Sequence, residues 1–318
     1  MTKNKNPPGL VRPKTSWGIS RSIEDRYFRS LRNLYRAIIR QLRGATTLTE
    51  IRTRLATIQA SADFHAFARN MAANMAAQVT RLSGANWRKR AEEANNIRSR
   101  EIFRSLANEL ANSSVNKAIA DMVKWNAKLI VTLPSRVDNE ITTMLAKEYA
   151  LGGIRHEQLT KELFAKYGTY TPDWDIRQDQ LDKFGNDYRF TEGDARRIAR
   201  TEVSKAQCAL TQARADDLGL KWYVWKTAND GDRVREAHQK MQNVLVNWAD
   251  PPDPEEINGD KHRSKFGPYH AGNIYNCRCY PEPLIDVDWL DWNVKQPVHM
   301  GGQIARLTRQ EFLPWFNI

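Results

Sequence analysis

The sequence has few cysteines and no long apolar run. Three cysteines in 318 residues are too few for a disulfide framework, so we expect reduced thiols and folding in a reducing cytoplasm. The longest apolar stretches, such as residues 129–133, are far shorter than the ~20 residues of a transmembrane helix. The basic N-terminus lacks the apolar segment of a secretory signal. We therefore expect a soluble protein with no membrane partner.

The common catalytic motifs are also missing. The chain has no glycine-rich phosphate loop, no G-x-S-x-G and no H-E-x-x-H. The zinc deaminase pattern is not met either, because the order here is Glu236-x-His238 and the cysteines are separated by one residue. A catalytic zinc with Glu236 as the base is conceivable, but residues two apart on a helix point in different directions. The sequence therefore predicts no enzyme.

Glycine and proline are nearly absent from the apolar periodic runs of the first half. Apolar residues there recur three and four positions apart, which predicts successive amphipathic helices. We predict helix ends at Gly44, at Ser83-Gly84 and before Pro134, and a capping box at Thr47-x-x-Glu50. A further long helix is expected from Thr191 to Leu218.

Near residue 221 the sequence pattern changes from helical to strand-forming. Residues 221–227 and 243–248 are rich in aromatic and β-branched residues and predict strands, with a short helix at 233–241 between them. Residues 251–269 are predicted as a polar loop, and Pro281 and Pro283 exclude a central strand at their position. The predicted fold is mainly α, with a helical N-terminal half and a smaller α+β C-terminal module. The predicted divisions are a disordered basic tail (1–20), a basic helical domain (21–153), an α+β domain (154–285) and a C-terminal extension (286–318).

Positive charge is concentrated in the first half. Residues 1–150 hold 26 Lys and Arg against 12 Asp and Glu, whereas residues 151–318 hold 23 against 25. One face of the first helix carries an arginine row consisting of Arg26, Arg29, Arg32, Arg36, Arg40 and Arg43. Such a row could bind the phosphates of double-stranded DNA or an acidic partner surface. The alternative, an ordinary solvated helix face, remains open.

Potential metal ligands are concentrated between residues 221 and 284. Two of the three cysteines, Cys277 and Cys279, lie there with His238 and His270. These four side chains could supply a Cys2His2 zinc site. The alternative is that the cysteines are ordinary reduced thiols and that His238 lies on a solvated helix face, since structural zinc sites more often place two residues between cysteines.

Four separated motifs in this order resemble the phage Mu protein F-like family of minor head proteins. They are residues 199–202 (ARTE), 225–228 (WKTA), 232–238 (DRVREAH) and 276–279 (NCRC). The resemblance covers about residues 155–285. It implies a virion protein of the head that lies near the portal and acts in head morphogenesis, DNA packaging or DNA delivery. The implied partners are the portal protein and other head proteins.

Two other functions remain open at this stage. The first is a metal-dependent hydrolase or nuclease built on a Cys/His zinc site. The second is a basic DNA-binding protein outside any virion, for which the uneven charge of the two halves is the supporting observation.

Overall fold

A computed structural model describes residues 10, 17, 21–94, 97–108, 113–150, 188–228, 234–259 and 267–316. The predicted tail, apart from Leu10 and Trp17, lies outside these ranges. Residues 157–167, for which the sequence predicts a short helix, also lie outside these ranges. So does most of 169–190, for which the sequence predicts an irregular segment. All four side chains of the predicted metal site are described.

The chain forms two compact units, each assembled from segments that are distant in sequence. Unit 1 contains Met1–Asp25, Asn74–Met122 and Arg197–Ile318, and unit 2 contains Arg26–Ala73 and Val123–Arg196. The sequence predicted consecutive domains divided near residue 153. Local patterns do not reveal which distant segments pack together, and the observed division depends on that packing.

The helices occupy most of the described chain, as predicted. In chain order they are α1 (Arg21–Arg40), α2 (Leu48–Ala60), α3 (Ala62–Ala94), α4 (Ile97–Ala107), α5 (Ser113–Val131), α6 (Leu133–Ala150), α7 (Tyr188–Asp217), α8 (Glu236–Lys240), α9 (Pro254–Ile257) and α10 (Arg309–Phe316). Among the described residues, no helix is both long and apolar enough to cross a membrane.

Five strands in unit 1 form a mixed sheet in the order β3-β1-β2-β4-β5. Their bounds are β1 (Trp222–Lys226), β2 (Leu245–Asn247), β3 (Tyr280–Pro283), β4 (Gln296–Met300) and β5 (Gln303–Leu307). β1 pairs antiparallel with β2 and β3, and β2 pairs parallel with β4. This small mixed sheet confirms the predicted α+β character of the C-terminal region.

One edge strand of the sheet agrees with the prediction from the sequence, whereas the other side of the sheet extends past the predicted boundary at residue 285. β3 contains Pro281 and Pro283 and is an edge strand, as the missing backbone donors of proline require. The sheet does not stop at residue 285, because β4 pairs with β2 through Leu245 and Val298. The region predicted as a separate C-terminal extension therefore contributes two strands to the same sheet.

Alternating residues of β1 face two different apolar clusters. Tyr223 and Trp225 belong to a cluster that includes side chains of α3, α4 and α7, while Trp222 and Val224 belong to a second cluster with Phe312 of α10. β1 is thus buried on both faces. Trp17, from the predicted tail, is buried in the first cluster and contacts Trp87 edge-on at 5.2 Å between ring centroids.

In unit 2, α2 packs against α6, and α1 buries its apolar side. The Arg52 guanidinium donates to Asp138 of α6 at 3.1 Å. Tyr35 of α1 donates to Asp194, which also accepts from Arg136 at 3.2 Å. These polar contacts fix the helices at positions that apolar periodicity alone does not specify.

Several predicted helix ends are confirmed. Thr47 caps α2 by accepting a hydrogen bond from the Glu50 backbone at 3.2 Å. Gly44 (φ +80°) and Gly219 (φ +66°) follow α1 and α7 in the left-handed conformation, and α5 ends before Pro134. α7 begins at Tyr188, three residues before the predicted Thr191.

The predicted break at Ser83-Gly84 is wrong, because α3 continues to Ala94. Arg214 of α7 is buried and donates to the Ser83 hydroxyl, and a Cβ placed on Gly84 would lie 3.8 Å from its guanidinium. A glycine inside a helix costs only about 1 kcal/mol. α3 therefore continues through Gly84 at a modest conformational cost.

Candidate metal centre

The pairing of β1 with β3 brings the two halves of the candidate site together. Lys226, at the end of β1, lies opposite Tyr280, at the start of β3. In an antiparallel pair these two ends meet at the same side of the sheet. The chain after β1 leads to α8, which carries His238, and the cysteines precede β3 directly. His238 thereby becomes a neighbour of Cys277 and Cys279, which lie 39 and 41 positions further along the sequence.

His238, Cys277 and Cys279 converge on one point. The Nδ1 atom of His238 lies 3.5 Å from Cys277 Sγ and 3.4 Å from Cys279 Sγ. The three potential ligand atoms lie within 4.8 Å of one another, and all three residues are buried. The Cys279 backbone N–H donates to Cys277 Sγ at 3.2 Å. This group could hold one metal ion.

The two thiols influence each other strongly. A hydrogen bond from Cys279 lowers the pKa of the Cys277 thiol well below its ordinary value, and His238 acts in the same direction. Burial, together with the neighbouring Cys277, raises the pKa of the Cys279 thiol well above its ordinary value. The pKa of the Cys277 thiol is therefore the lower of the two.

The other nitrogen of His238 is held by a buried polar pair. Its Nε2 atom lies 2.8 Å from the Tyr269 hydroxyl, which in turn lies 2.8 Å and 2.7 Å from the two carboxylate oxygens of Glu255. Glu255 is 3% exposed and follows Pro254 at the start of α9. Sequence reasoning missed both residues, because tyrosine is an uncommon metal ligand and Glu255 lies in a segment predicted as a polar loop.

A small cavity of about 30 Å³ adjoins the group. Its lining includes Arg200, Arg235 and Arg278. Arg200 and Arg278 both donate to the buried Glu24, at 3.4 Å and 3.0 Å, and Arg200 also donates to the Asn276 side chain at 2.9 Å. Arg200 thus forms a structural ion pair with Glu24.

The structure does not bring His270 into this group, contrary to the predicted four-ligand set. Its Nδ1 atom lies 3.2 Å from the Tyr223 hydroxyl, and its ring contacts Trp248 edge-on. Burial lowers the pKa of His270 to about 4, so the ring is neutral. His270 is directed into the apolar core because it follows Tyr269, whose side chain is directed toward His238.

Glu236 and Cys208 also lie outside the group. Glu236, the conceivable base, is exposed and pairs with Lys240 on the surface of α8 at 3.2 Å. Cys208 is a buried core residue of α7, and burial raises the pKa of its thiol to about 12. Neither arrangement provides a reactive group at the centre.

The arginine row of α1 is partly engaged in contacts. Arg26, Arg29, Arg40 and Arg43 are exposed, as an interaction surface requires. Arg32 is half-buried, donates to Glu192 at 3.2 Å and lies over the Phe28 ring. Arg36 is also half-buried. Four of the six predicted positions are therefore fully exposed.

Comparison with known proteins identifies the segment that contains the centre. Residues 139–281 match the family described as phage Mu protein F like protein. A protein of Haemophilus influenzae, described as uncharacterized, is 36% identical over 96 residues, which covers 30% of this chain and 18% of that protein. The comparison with solved structures gives no match. His238, Cys277 and Cys279 all lie within the segment that matches this family, which spans 143 of the 318 residues of the chain.

Proposed function

We propose that this chain is a minor head protein of a tailed phage that acts by binding at the portal during head morphogenesis, DNA packaging or DNA delivery. The family match over residues 139–281 carries this proposal, because the family suggests a phage head morphogenesis protein. In this role the protein belongs to the virion head near the portal and assembles in the host cytoplasm. Its partners are the portal protein and other head proteins.

The geometry of the candidate metal centre supports binding over catalysis. The cavity beside His238 and the cysteines measures about 30 Å³, which is about the volume of one water molecule. Pockets that accept organic substrates usually measure about 300–1,000 Å³. A buried group with so little open space is suited to fastening α8 to the start of β3.

The exposed arginines of α1 are the proposed surface for double-stranded DNA. We expect the variant with Arg26, Arg29, Arg40 and Arg43 changed to glutamine to bind DNA with a weaker salt dependence. Each lost phosphate contact lowers the slope of log K against log salt by about 0.9, so four contacts lower it by up to about 3.6. Fluorescence anisotropy with duplexes of unrelated sequence measures this slope.

A control variant with the same change of net charge shows whether the weaker salt dependence requires the α1 positions or follows from the lower charge alone. Four exposed basic residues of α3, namely Arg69, Arg81, Arg88 and Lys89, are changed to glutamine. We expect the control to keep most of the slope. Equal slopes for the two variants would show that the α1 row is an ordinary solvated face.

Portal association is tested by co-expressing the chain with the portal protein of the same phage. We expect the two proteins to elute together in size-exclusion chromatography. If the α1 arginine variant loses this co-elution, the row contacts the portal; if co-elution persists, another surface does. Failure of the unaltered chain to co-elute with the portal would contradict the association.

The main alternative is a metal-dependent hydrolase or nuclease. It predicts metal-stimulated cleavage of DNA or of a small phosphodiester, with loss of turnover in a Cys277→Ser variant that remains folded. The binding function predicts no cleavage by the unaltered chain under the same conditions.

A further inference from the structure

We infer that His238, Cys277 and Cys279 form a zinc site, and that Tyr269 and Glu255 position the histidine so that its Nδ1 atom binds the metal. This inference is separate from the proposed role in the phage head. It rests on the separations of three buried ligand atoms and on the direction of two hydrogen bonds.

The separations agree with those of tetrahedral zinc. Zn–S bonds of about 2.3 Å and Zn–N bonds of about 2.05 Å at tetrahedral angles place sulfur and nitrogen about 3.6 Å apart. The observed separations of His238 Nδ1 from the two sulfurs are 3.5 Å and 3.4 Å. One metal ion at these distances would contact the nitrogen and both sulfurs.

The hydrogen bonds at the far side of the ring leave Nδ1 with a lone pair. A carboxylate only accepts, so the single hydroxyl proton of Tyr269 is donated to Glu255. The Tyr269 oxygen then accepts from the Nε2–H of His238 at 2.8 Å. With the Nε2 hydrogen directed at Tyr269, the Nδ1 lone pair faces the two sulfurs, as is usual for metal-binding histidines held by a hydrogen-bonded partner.

The donor set selects the class of metal. Two thiolates and an imidazole favour zinc over magnesium or calcium, which prefer oxygen ligands. Two thiolates with Zn²⁺ also form a neutral group, which suits a buried position better than two thiolates alone. The adjoining cavity of about 30 Å³ has room for one water molecule as the fourth ligand.

The first experiment measures zinc in the full-length purified chain by inductively coupled plasma mass spectrometry. We expect about one zinc per chain, and less than a tenth of that in the variants His238→Ala and Cys279→Ser. Cys208→Ala, which changes a buried cysteine outside the group, should retain full zinc content. Because ligand variants can fail to fold, metal-free unaltered protein is also titrated with Co²⁺, which gives thiolate-to-metal charge-transfer absorption. A folded chain that takes up neither Zn²⁺ nor Co²⁺ would overturn the site.

The role of Tyr269 in positioning His238 is tested separately. Tyr269→Phe removes the hydroxyl and keeps the ring, and we expect zinc affinity in competition with a chelator to fall by about 10–100-fold. Tyr223→Phe is the matched control, since its hydroxyl contacts His270 and the Ala271 backbone. Equal affinity in the two variants would overturn the role of Tyr269 while leaving the zinc site in place.

Discussion

Replacing Gly272 with alanine should lower the free energy of unfolding by about 2–5 kcal/mol. Gly272 has φ +86°, where an alanine costs about 1–2 kcal/mol. A Cβ there would also lie 2.6 Å from the Cys279 carbonyl oxygen and 2.9 Å from Ser204 Oγ. Relieving such an overlap typically adds about 1–3 kcal/mol. Because the first obstacle is the backbone of a proposed zinc ligand, the substitution must displace the chain at Cys279.

A substitution at a second glycine, Gly301, separates the conformational cost from the cost of steric overlap. Gly301 also has positive φ, at +54°, and a Cβ added there would meet nothing within 4 Å. Gly301→Ala should therefore show only the conformational cost of about 1–2 kcal/mol. Urea unfolding followed by circular dichroism measures both variants. If both variants lose a similar free energy of unfolding, the backbone at Cys279 can shift at no cost. The packing around Gly272 would then be loose.

Removing the charge of Arg90 should destabilise unit 1 by about 3–5 kcal/mol. Arg90 of α3 is 1% exposed and pairs with Glu282 of β3, which is also buried, and with Glu93 at 3.0 Å. Arg90→Met keeps most of the apolar volume but leaves the Glu282 carboxylate without its main counter-charge. Breaking a buried pair from one side carries this large cost because a buried charge loses its compensation. Urea unfolding measures the loss.

Two controls test this explanation. Arg98→Met breaks the exposed pair with Glu101, in which both side chains are 42% exposed, and should cost less than about 1 kcal/mol. The double variant Arg90→Met/Glu282→Leu removes both buried charges and should recover much of the stability that Arg90→Met loses. If the double variant is as unstable as the single one, the loss comes from packing around Trp17, over which Arg90 lies, and not from the unpaired charge.

Local sequence patterns predicted the elements better than their assembly. The apolar spacing of α1 and the cap at Thr47 were sufficient because a helix is stabilised by residues three or four apart. The continuity of α3 through Gly84 was not predicted, because glycine often ends helices although it costs only about 1 kcal/mol inside one. The contact of Ser83 with Arg214, more than a hundred residues away, was equally invisible to local patterns. The pairing of β2 with β4 is equally non-local, so the sheet was predicted to end too early.

The candidate site was likewise predicted only in part from local sequence. The ligand types of His238, Cys277 and Cys279 indicated a metal site, and the structure brings these three together. The same reasoning included His270, because residue type does not reveal the direction of a side chain. Tyr269 and Glu255 were missed because their role depends only on their distance from His238 in the folded chain. Binding of zinc itself remains a prediction.

The proposed head-protein function is tested most directly by mass spectrometry of purified particles and empty heads of the phage proposed to encode the chain. The proposed function predicts the protein in both, at low copy and in constant ratio to the portal protein. Its absence from both would contradict a role as a minor head protein, whatever the metal content of the isolated chain.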